Sequence, residues 1–273
     1  MQSQPDNARE YYDQHSSAYV EKWSDLADAA QKPTNVYRRN MVGNLIELAR
    51  IHDGARVVEV GAGTGLVLRE LLTRTKPVVG TDVSIEMLRR AQQLLASEWR
   101  VEIVATLPAE LTSADVYLLR DDVLTLGLPD GFFDAVLSME VFRYVGDLER
   151  AFRNVRRVLA DDGVFAFTVT NLFSLGLFPL RYELRRVLRR VDLQEELAQY
   201  FVTEGGISRT LRRAGLEVVE LRKLNCLTFN PVVRRIVRSG AGAERAIALD
   251  RRLEAVPGAN KLFDTFLIGA RKA

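Results

Sequence analysis

The chain has little of what several functional classes require. It holds one cysteine, Cys226, which excludes an internal disulfide and any multi-cysteine zinc site. It holds two histidines, His15 and His52, so a histidine base has few candidates. No cluster of metal-ligating residue types is visible, and no metal is expected. Long apolar runs are also missing. The longest, Phe165 to Leu180, is broken by Thr168, Thr170, Asn171, Ser174, Gly176 and Pro179, and is too polar and too short to span a membrane. The first residues, Met1 to Asp6, are polar, without the apolar core of a signal peptide, so a cytoplasmic location is expected. There is no internal repeat and no low-complexity tract.

What is present is a soluble, globular composition: 273 residues, 47% hydrophobic and 27% charged. That length suits one α/β domain with insertions, or a domain with a cap. The net charge of +2 conceals an asymmetry. From Asn171 onward there are 19 Lys+Arg against 11 Asp+Glu, so the back half stands at +8 and the first 170 residues at −6. An acidic front and a basic back point to different ligands for the two parts, although solvated arginine-rich helix faces account for the second equally well.

Strand and helix patterns alternate from Ala55 to Gly215. Strands are expected at Arg56–Val60, Pro77–Asp82, Val116–Asp121, Phe133–Ser138 and Val164–Val169, and later at Leu216–Leu224 and Phe263–Ala270. Helices fall between them at Gly65–Arg74, Ser84–Leu95, Asp147–Leu159 and Ile207–Ala214. This alternation implies a doubly wound, mostly parallel seven-stranded α/β sheet, with ligands bound beyond the carboxyl ends of the strands. Three segments fall outside the minimal pattern. Ser97–Ala114 reads as an extra helix or long loop. Asn171–Glu204 contains an amphipathic helix, Tyr182–Val191, with Leu184, Val187, Leu188 and Val191 on one face. Asn225–Lys261 carries a second helical stretch, Glu244–Leu253. The division expected is lid helices over 1–50, a ligand-binding core over 51–170, a helical cap over 171–204, and core strands over 205–273 with a second cap insertion at about 226–261.

The most informative segment is Val57-Val58-Glu59-Val60-Gly61-Ala62-Gly63-Thr64-Gly65. An apolar strand with an acid near its end runs into glycines at alternate positions, then a helix, a turn that lets a ligand approach the backbone. A dinucleotide fingerprint would place its third glycine where Leu66 stands, which argues against a nicotinamide oxidoreductase. Asp82 ends the second strand about 20 residues further on, where a carboxylate accepts both hydroxyls of a ribose. Downstream lie Arg120-Asp121-Asp122-Val123-Leu124 with Leu128-Pro129-Asp130-Gly131-Phe132-Phe133-Asp134, then Leu137-Ser138-Met139-Glu140-Val141-Phe142-Arg143-Tyr144. Upstream is Tyr11-Tyr12-Asp13-Gln14-His15-Ser16-Ser17-Ala18-Tyr19.

These motifs, in this order from Tyr11 to Val169, resemble those of the class I S-adenosylmethionine-dependent methyltransferases of small-molecule type. The resemblance implies S-adenosylmethionine as cofactor. It would be held by Tyr11 and Tyr19 of a lid helix, Arg38 (or Arg39) before the first strand, Glu59, the loop Gly61, Ala62, Gly63 and Gly65, then Asp82, Val83, Met87, Asp122, Val123 and Met139. Met87 serves equally well as a core residue, and Asp121 replaces Asp122 if the register slips by one. Glu140, Tyr144 and Asn171 sit where the family meets its acceptor. The histidine frequent after the fourth strand is absent, with Arg143 and Tyr144 in its place, so His15, Tyr19, Arg143 and Tyr144 are the candidate catalytic groups. The reaction implied is in-line methyl transfer to a small-molecule acceptor, first an oxygen, with nitrogen or carbon next.

Other readings stay open: an isoprenoid or lipid-linked acceptor reached by peripheral membrane contact of the Tyr182–Val191 helix, a nucleic-acid methyltransferase, or a non-catalytic cofactor-binding protein. The fourth strand lacks an N-P-P-Y-type motif and few aromatics interleave with the arginines, which argues against nucleic acid. The chain is expected to work as a monomer or homodimer.

Overall fold

The structure is a computed structural model that describes residues 8–16, 33–177, 179–180, 183–184, 198–228 and 230–273. Tyr19, and the Tyr182–Val191 helix apart from 183–184, lie outside the described residues. Eight strands form one sheet: β1 (Val57–Val60), β2 (Val78–Asp82), β3 (Val101–Val104), β4 (Val116–Arg120), β5 (Phe133–Ser138), β6 (Leu159–Thr170), β7 (Leu216–Leu224) and β8 (Thr265–Lys272). Their order is β3-β4-β2-β1-β5-β6-β8-β7. All pairs are parallel except those that β8 makes with β6 and β7.

The doubly wound sheet therefore has eight strands, not seven. The extra one is β3, inside the segment expected as a helix or loop. Val101 and Ile103 alternate with Glu102 as an edge strand on β4, half-buried throughout. The order reverses between β1 and β5, and there the carboxyl ends of both strands open a crevice. Ser138 Oγ donates to the Val60 carbonyl at 2.9 Å and ties the two ends together.

Two apolar layers flank the sheet. One is built around β6 and helix α5 (Leu148–Val158), where the rings of Phe142, Phe152, Phe165 and Phe167 lie 4.3–5.8 Å apart. The other gathers α2 (Pro33–Leu48), α3 (Leu66–Leu71) and α4 (Ile85–Leu95). Helix 8–16, here α1, packs over the crevice. Further helices among the described residues include α6 (Glu204–Arg213), α7 (Pro231–Ile236) and α8 (Gly240–Glu254), the last covering the expected Glu244–Leu253 stretch. Helix starts follow their caps. Ser84 accepts the Met87 N–H, Asp147 that of Arg150 and Thr203 that of Gly206.

Candidate functional site

A cavity of about 300 Å³ opens at the β1/β5 switch point. Its floor is the turn after β1. Gly61 and Ala62 both donate their N–H groups to the Thr81 carbonyl at 2.8 Å, which folds the loop over the end of β2. Gly61 has φ +74°, and a Cβ there would lie 2.1 Å from Val141 Cγ2, so no other residue fits. Gly65 has φ +82° and caps α3 against Leu95 and Ala91. It stands behind the wall; the loop residues that line the cavity are Gly61, Ala62, Gly63 and Thr64.

Two carboxylates dominate the floor. Asp82 accepts the N–H of Gly63 through Oδ2 and that of Ser84 through Oδ1, both at 2.9 Å. A carboxylate offers about four lone-pair sites, so acceptor capacity remains for a ligand. Burial pushes its carboxyl up to about 6, against the pull of those two N–H bonds. Glu59 is buried beneath the loop, and its Oε2 has no hydrogen-bond partner. Burial, with nearby Asp82 adding to it, raises Glu59 well above the ordinary carboxylate range. A buried acid facing a cavity with one oxygen unpartnered is an acceptor for a ligand cation or donor.

The β4 exit separates the two adjacent acids. Asp121 accepts the N–H groups of Asp122 (2.8 Å, Oδ1) and Gly127 (2.7 Å, Oδ2), one on each oxygen as in Asp82. Asp122 takes the Leu124 N–H, at 2.9 Å through Oδ1. Both line the cavity with Val123 and Leu124, and Val83 and Met87 line it from the β2 side.

The opposite end is built by the β5 exit. Glu140 adopts φ +63°, uncommon for a residue with a side chain, and its N–H is held by Thr168 Oγ1 at 2.7 Å. The following turn, Phe142–Tyr144, buries Phe142 in the aromatic layer and so turns Arg143 and Tyr144 toward the cavity. Arg143 pairs with Glu140 at 2.7 Å and stacks 4.9 Å above the Tyr144 ring, while its buried Nε has no partner. The Tyr12 ring meets Tyr144 edge-on at 6.2 Å.

Two helices close the roof. On α2, Thr34, Tyr37, Arg38 and Met41 line the cavity at i, i+3, i+4, i+7. On α1, Ala8 and Tyr12 do so at i, i+4. Asp13, one position on, accepts the Ser84 hydroxyl at 2.6 Å and so fastens α1 to the start of α4.

Most of the expected site residues thus meet at one cavity: Arg38, Glu59, Gly61, Ala62, Gly63, Asp82, Val83, Met87, Asp122, Val123, Met139, Glu140, Arg143 and Tyr144. Four others are placed elsewhere, Gly65 behind the wall being the first. Tyr11 and His15 stack on each other at 4.4 Å on the outer side of α1, and the exposed His15 bonds the Tyr11 carbonyl through Nδ1. Tyr12 holds the place expected of Tyr11. Asn171 is buried, and its amide donates to the carbonyls of Lys261 (2.9 Å), Phe263 (2.8 Å) and Phe173 (3.2 Å). It is an internal tether rather than a wall residue. The sequence reading missed Tyr12, Asp13, Thr34, Tyr37, Met41, Val141 and Thr228. For the α2 set, the signal was its 3-4 spacing on the helix before the first strand.

Comparison with known proteins agrees with this geometry. Residues 58–167 match the family model described as a methyltransferase domain, and residues 6–107 that of protein-L-isoaspartate(D-aspartate) O-methyltransferase. The chain is 33% identical over 202 residues to malonyl-[acyl-carrier protein] O-methyltransferase of Geobacter sulfurreducens, covering 71% of this chain and 69% of that one. The chain belongs to the class I S-adenosylmethionine-dependent methyltransferases. This methyltransferase is also 26% identical to the ubiquinone biosynthesis O-methyltransferase of Xanthomonas oryzae pv. oryzae, covering 75% and 80% of the two chains. It spans about half the length of two other curated relatives. Its fold is that of magnesium protoporphyrin IX methyltransferase from Synechocystis, with a TM-score of 0.60 at 14% identity, covering 97% and 98% of the chains.

The cavity fits the family's cofactor chemically. S-adenosylmethionine presents a ribose diol, an adenine face and an amino-acid ammonium. The methyltransferase faces the cavity with a carboxylate of spare acceptor capacity, apolar side chains at Val83 and Met87, and the unpaired Glu59 oxygen.

Proposed function

We propose that this methyltransferase transfers a methyl group to an oxygen of a small-molecule acceptor, and that this oxygen is ionised, or readily ionised, near neutral pH. Arg143 carries the reading. It is a guanidinium fixed at one end of the cavity by Glu140 and Tyr144, with a buried Nε that has no partner. No histidine is among the residues that line the cavity. An oxygen that already bears charge needs no general base, and a fixed guanidinium suits it. Two relatives named for O-methylation, of malonyl-[acyl-carrier protein] and in ubiquinone biosynthesis, support the same choice.

Bound S-adenosylmethionine supplies the electrophilic methyl on a good leaving group. The chain's own residues supply position, and alignment of this kind contributes roughly 7–11 kcal/mol. Asp82 accepts the ribose hydroxyls. Asp122 and the Val123 N–H take the adenine edge, and Met87 and Val83 pack its faces. Glu59 and Arg38 take the ammonium and carboxylate of the methionine portion. Arg143 holds the acceptor oxygen, with Tyr144 and Tyr12 as the adjacent aromatic wall.

The test is turnover with matched carboxylate, phenol and amine acceptors. Oxygen acids should be methylated, and Arg143→Gln should lower kcat/KM by about 10- to 100-fold while S-adenosylhomocysteine binding stays unchanged. Methylation of amines alone, or an Arg143→Gln variant with full kcat/KM, contradicts the reading.

A further inference from the structure

The turn that carries Arg143 is pinned from behind the cavity, and each pin comes from β6 or its continuation. The β5–β6 ladder ends at the pair Ser138 and Phe167. One residue further along β6, a side chain takes over from the backbone: Thr168 Oγ1 accepts the Glu140 N–H at 2.7 Å. Thr168 is 1% exposed and pairs in register with Leu267 of β8, so the strand that carries it is held on its other edge. In the middle of the turn, the Phe142 ring packs on Phe165 and Phe167 of the same strand. At the far end, the Arg143 carbonyl accepts the Tyr200 N–H at 2.7 Å, and Val202 N–H bonds the Thr170 carbonyl at 3.0 Å. Of these pins, the Thr168 bond is the one that bears on Glu140, which sits at φ +63°. A residue with a side chain keeps such a conformation only where its surroundings impose it.

We infer that Thr168 is a positioning residue for methyl transfer, acting through Glu140 on Arg143. The inference rests on the role proposed above for Arg143 at the acceptor oxygen. Thr168 is not among the residues that line the cavity, so its effect on the reaction passes through the turn. The chain of holds is short. The hydroxyl keeps the Glu140 N–H, and with it the positive φ. That conformation presents the Glu140 carboxylate to Arg143, three residues on, at 2.7 Å. The ion pair then fixes the guanidinium. Valine has the shape of threonine and no acceptor. In its place the part-buried N–H is left unpaired, and nothing holds Glu140 out of the ordinary backbone regions. Phe142 still anchors the turn, so the fold survives while the guanidinium loses its aim. A misplacement of about 1 Å at a reacting centre can cost as much as 10²-fold in rate.

The experiment is a double-mutant cycle on the full chain, with the oxygen acid that the wild type methylates fastest in the acceptor panel. Thr168→Val should lower kcat/KM for that acceptor by about tenfold, with S-adenosylhomocysteine affinity unchanged. Thr168→Ser, which keeps the hydroxyl, should stay within about twofold of the wild type. In an Arg143→Gln background Thr168→Val should cost less than about twofold more, because the residue it acts through is gone. Thr168→Ala gives the same comparisons if the valine variant does not fold. Full kcat/KM in Thr168→Val, with Arg143→Gln impaired, overturns this inference and leaves the role of Arg143 standing. Equal losses in the two backgrounds, or no recovery in Thr168→Ser, also overturn it, since Thr168 then serves the fold and not the aim of Arg143. An Arg143→Gln variant with full kcat/KM, or no turnover of any oxygen acid, removes the reading beneath it, and the inference falls with that reading.

Discussion

At the scale of single residues, the site works by burying acids that the ligand must satisfy. Asp82 is an effective acceptor for a diol only when ionised, and its carboxyl sits at about 6. Affinity for S-adenosylhomocysteine should therefore be flat above about pH 7 and fall by up to roughly tenfold per pH unit below about 6, in calorimetric titrations across that range. A flat profile down to pH 5 would show that the carboxylate has no part in binding. Gly61 is the residue where sequence and geometry agree most tightly. Gly61→Ala combines a positive φ with a 2.1 Å approach to Val141. It should destabilise the fold by about 1–3 kcal/mol and abolish measurable cofactor binding, read by thermal melts and titration. Retained binding in that variant would mean that the loop moves freely and is no fixed floor.

At the scale of elements, the roof is latched. Asp13 joins α1 to α4 through Ser84, whose own N–H bonds Asp82. Asp13→Ala should speed S-adenosylhomocysteine release by about tenfold and raise hydrogen exchange across 8–16, with little change in the melting temperature. Phe142 is the matching device on the other side. Phe142→Ala should destabilise the protein by about 3–5 kcal/mol, because it removes the ring that carries Arg143 and Tyr144 into place. Most elements were legible in the sequence because they repeat one rule, a short apolar run followed by a capped amphipathic helix. Edge strand β3 was not. Four residues, all half-buried, give too short an alternation to stand out from the turn-rich stretch around them. The cavity floor was legible because glycines and strand-end acids have few other uses. Its roof was legible only in part: Arg38 was expected there, whereas Thr34, Tyr37 and Met41 read as an ordinary helix face until the sheet beneath them is known. Asn171 misled for a physical reason: a polar residue at a strand exit can bond the chain itself as readily as a ligand.

At the scale of the whole molecule, the buried acids set a pH dependence of stability. Asp82 rises from 3.8 to about 6, and Asp264 from 3.8 to about 7, each mainly through burial. A carboxyl raised on folding contributes stability that is fully present below its unfolded value and is lost as pH rises through its folded value. The cofactor-free protein should lose up to about 1.4 kcal/mol per pH unit per such group between roughly pH 4 and 7. Asp264→Asn, far from the glycine loop in sequence, should flatten that slope in melts recorded across the window. An unchanged slope would mean that Asp264 stays ionised in the fold. The charge asymmetry acts at the same scale. The acidic front half supplies the residues that line the cofactor cavity, Thr228 apart.

The central claim is that the cavity at the β1/β5 switch point holds S-adenosylmethionine through Asp82. The most direct test is calorimetric titration of S-adenosylhomocysteine and of NAD into the wild type and Asp82→Ala. The account predicts binding of S-adenosylhomocysteine, weakened by about 100-fold or more in the variant, and no binding of NAD. Equal affinity in wild type and variant, or binding of NAD in its place, would contradict it.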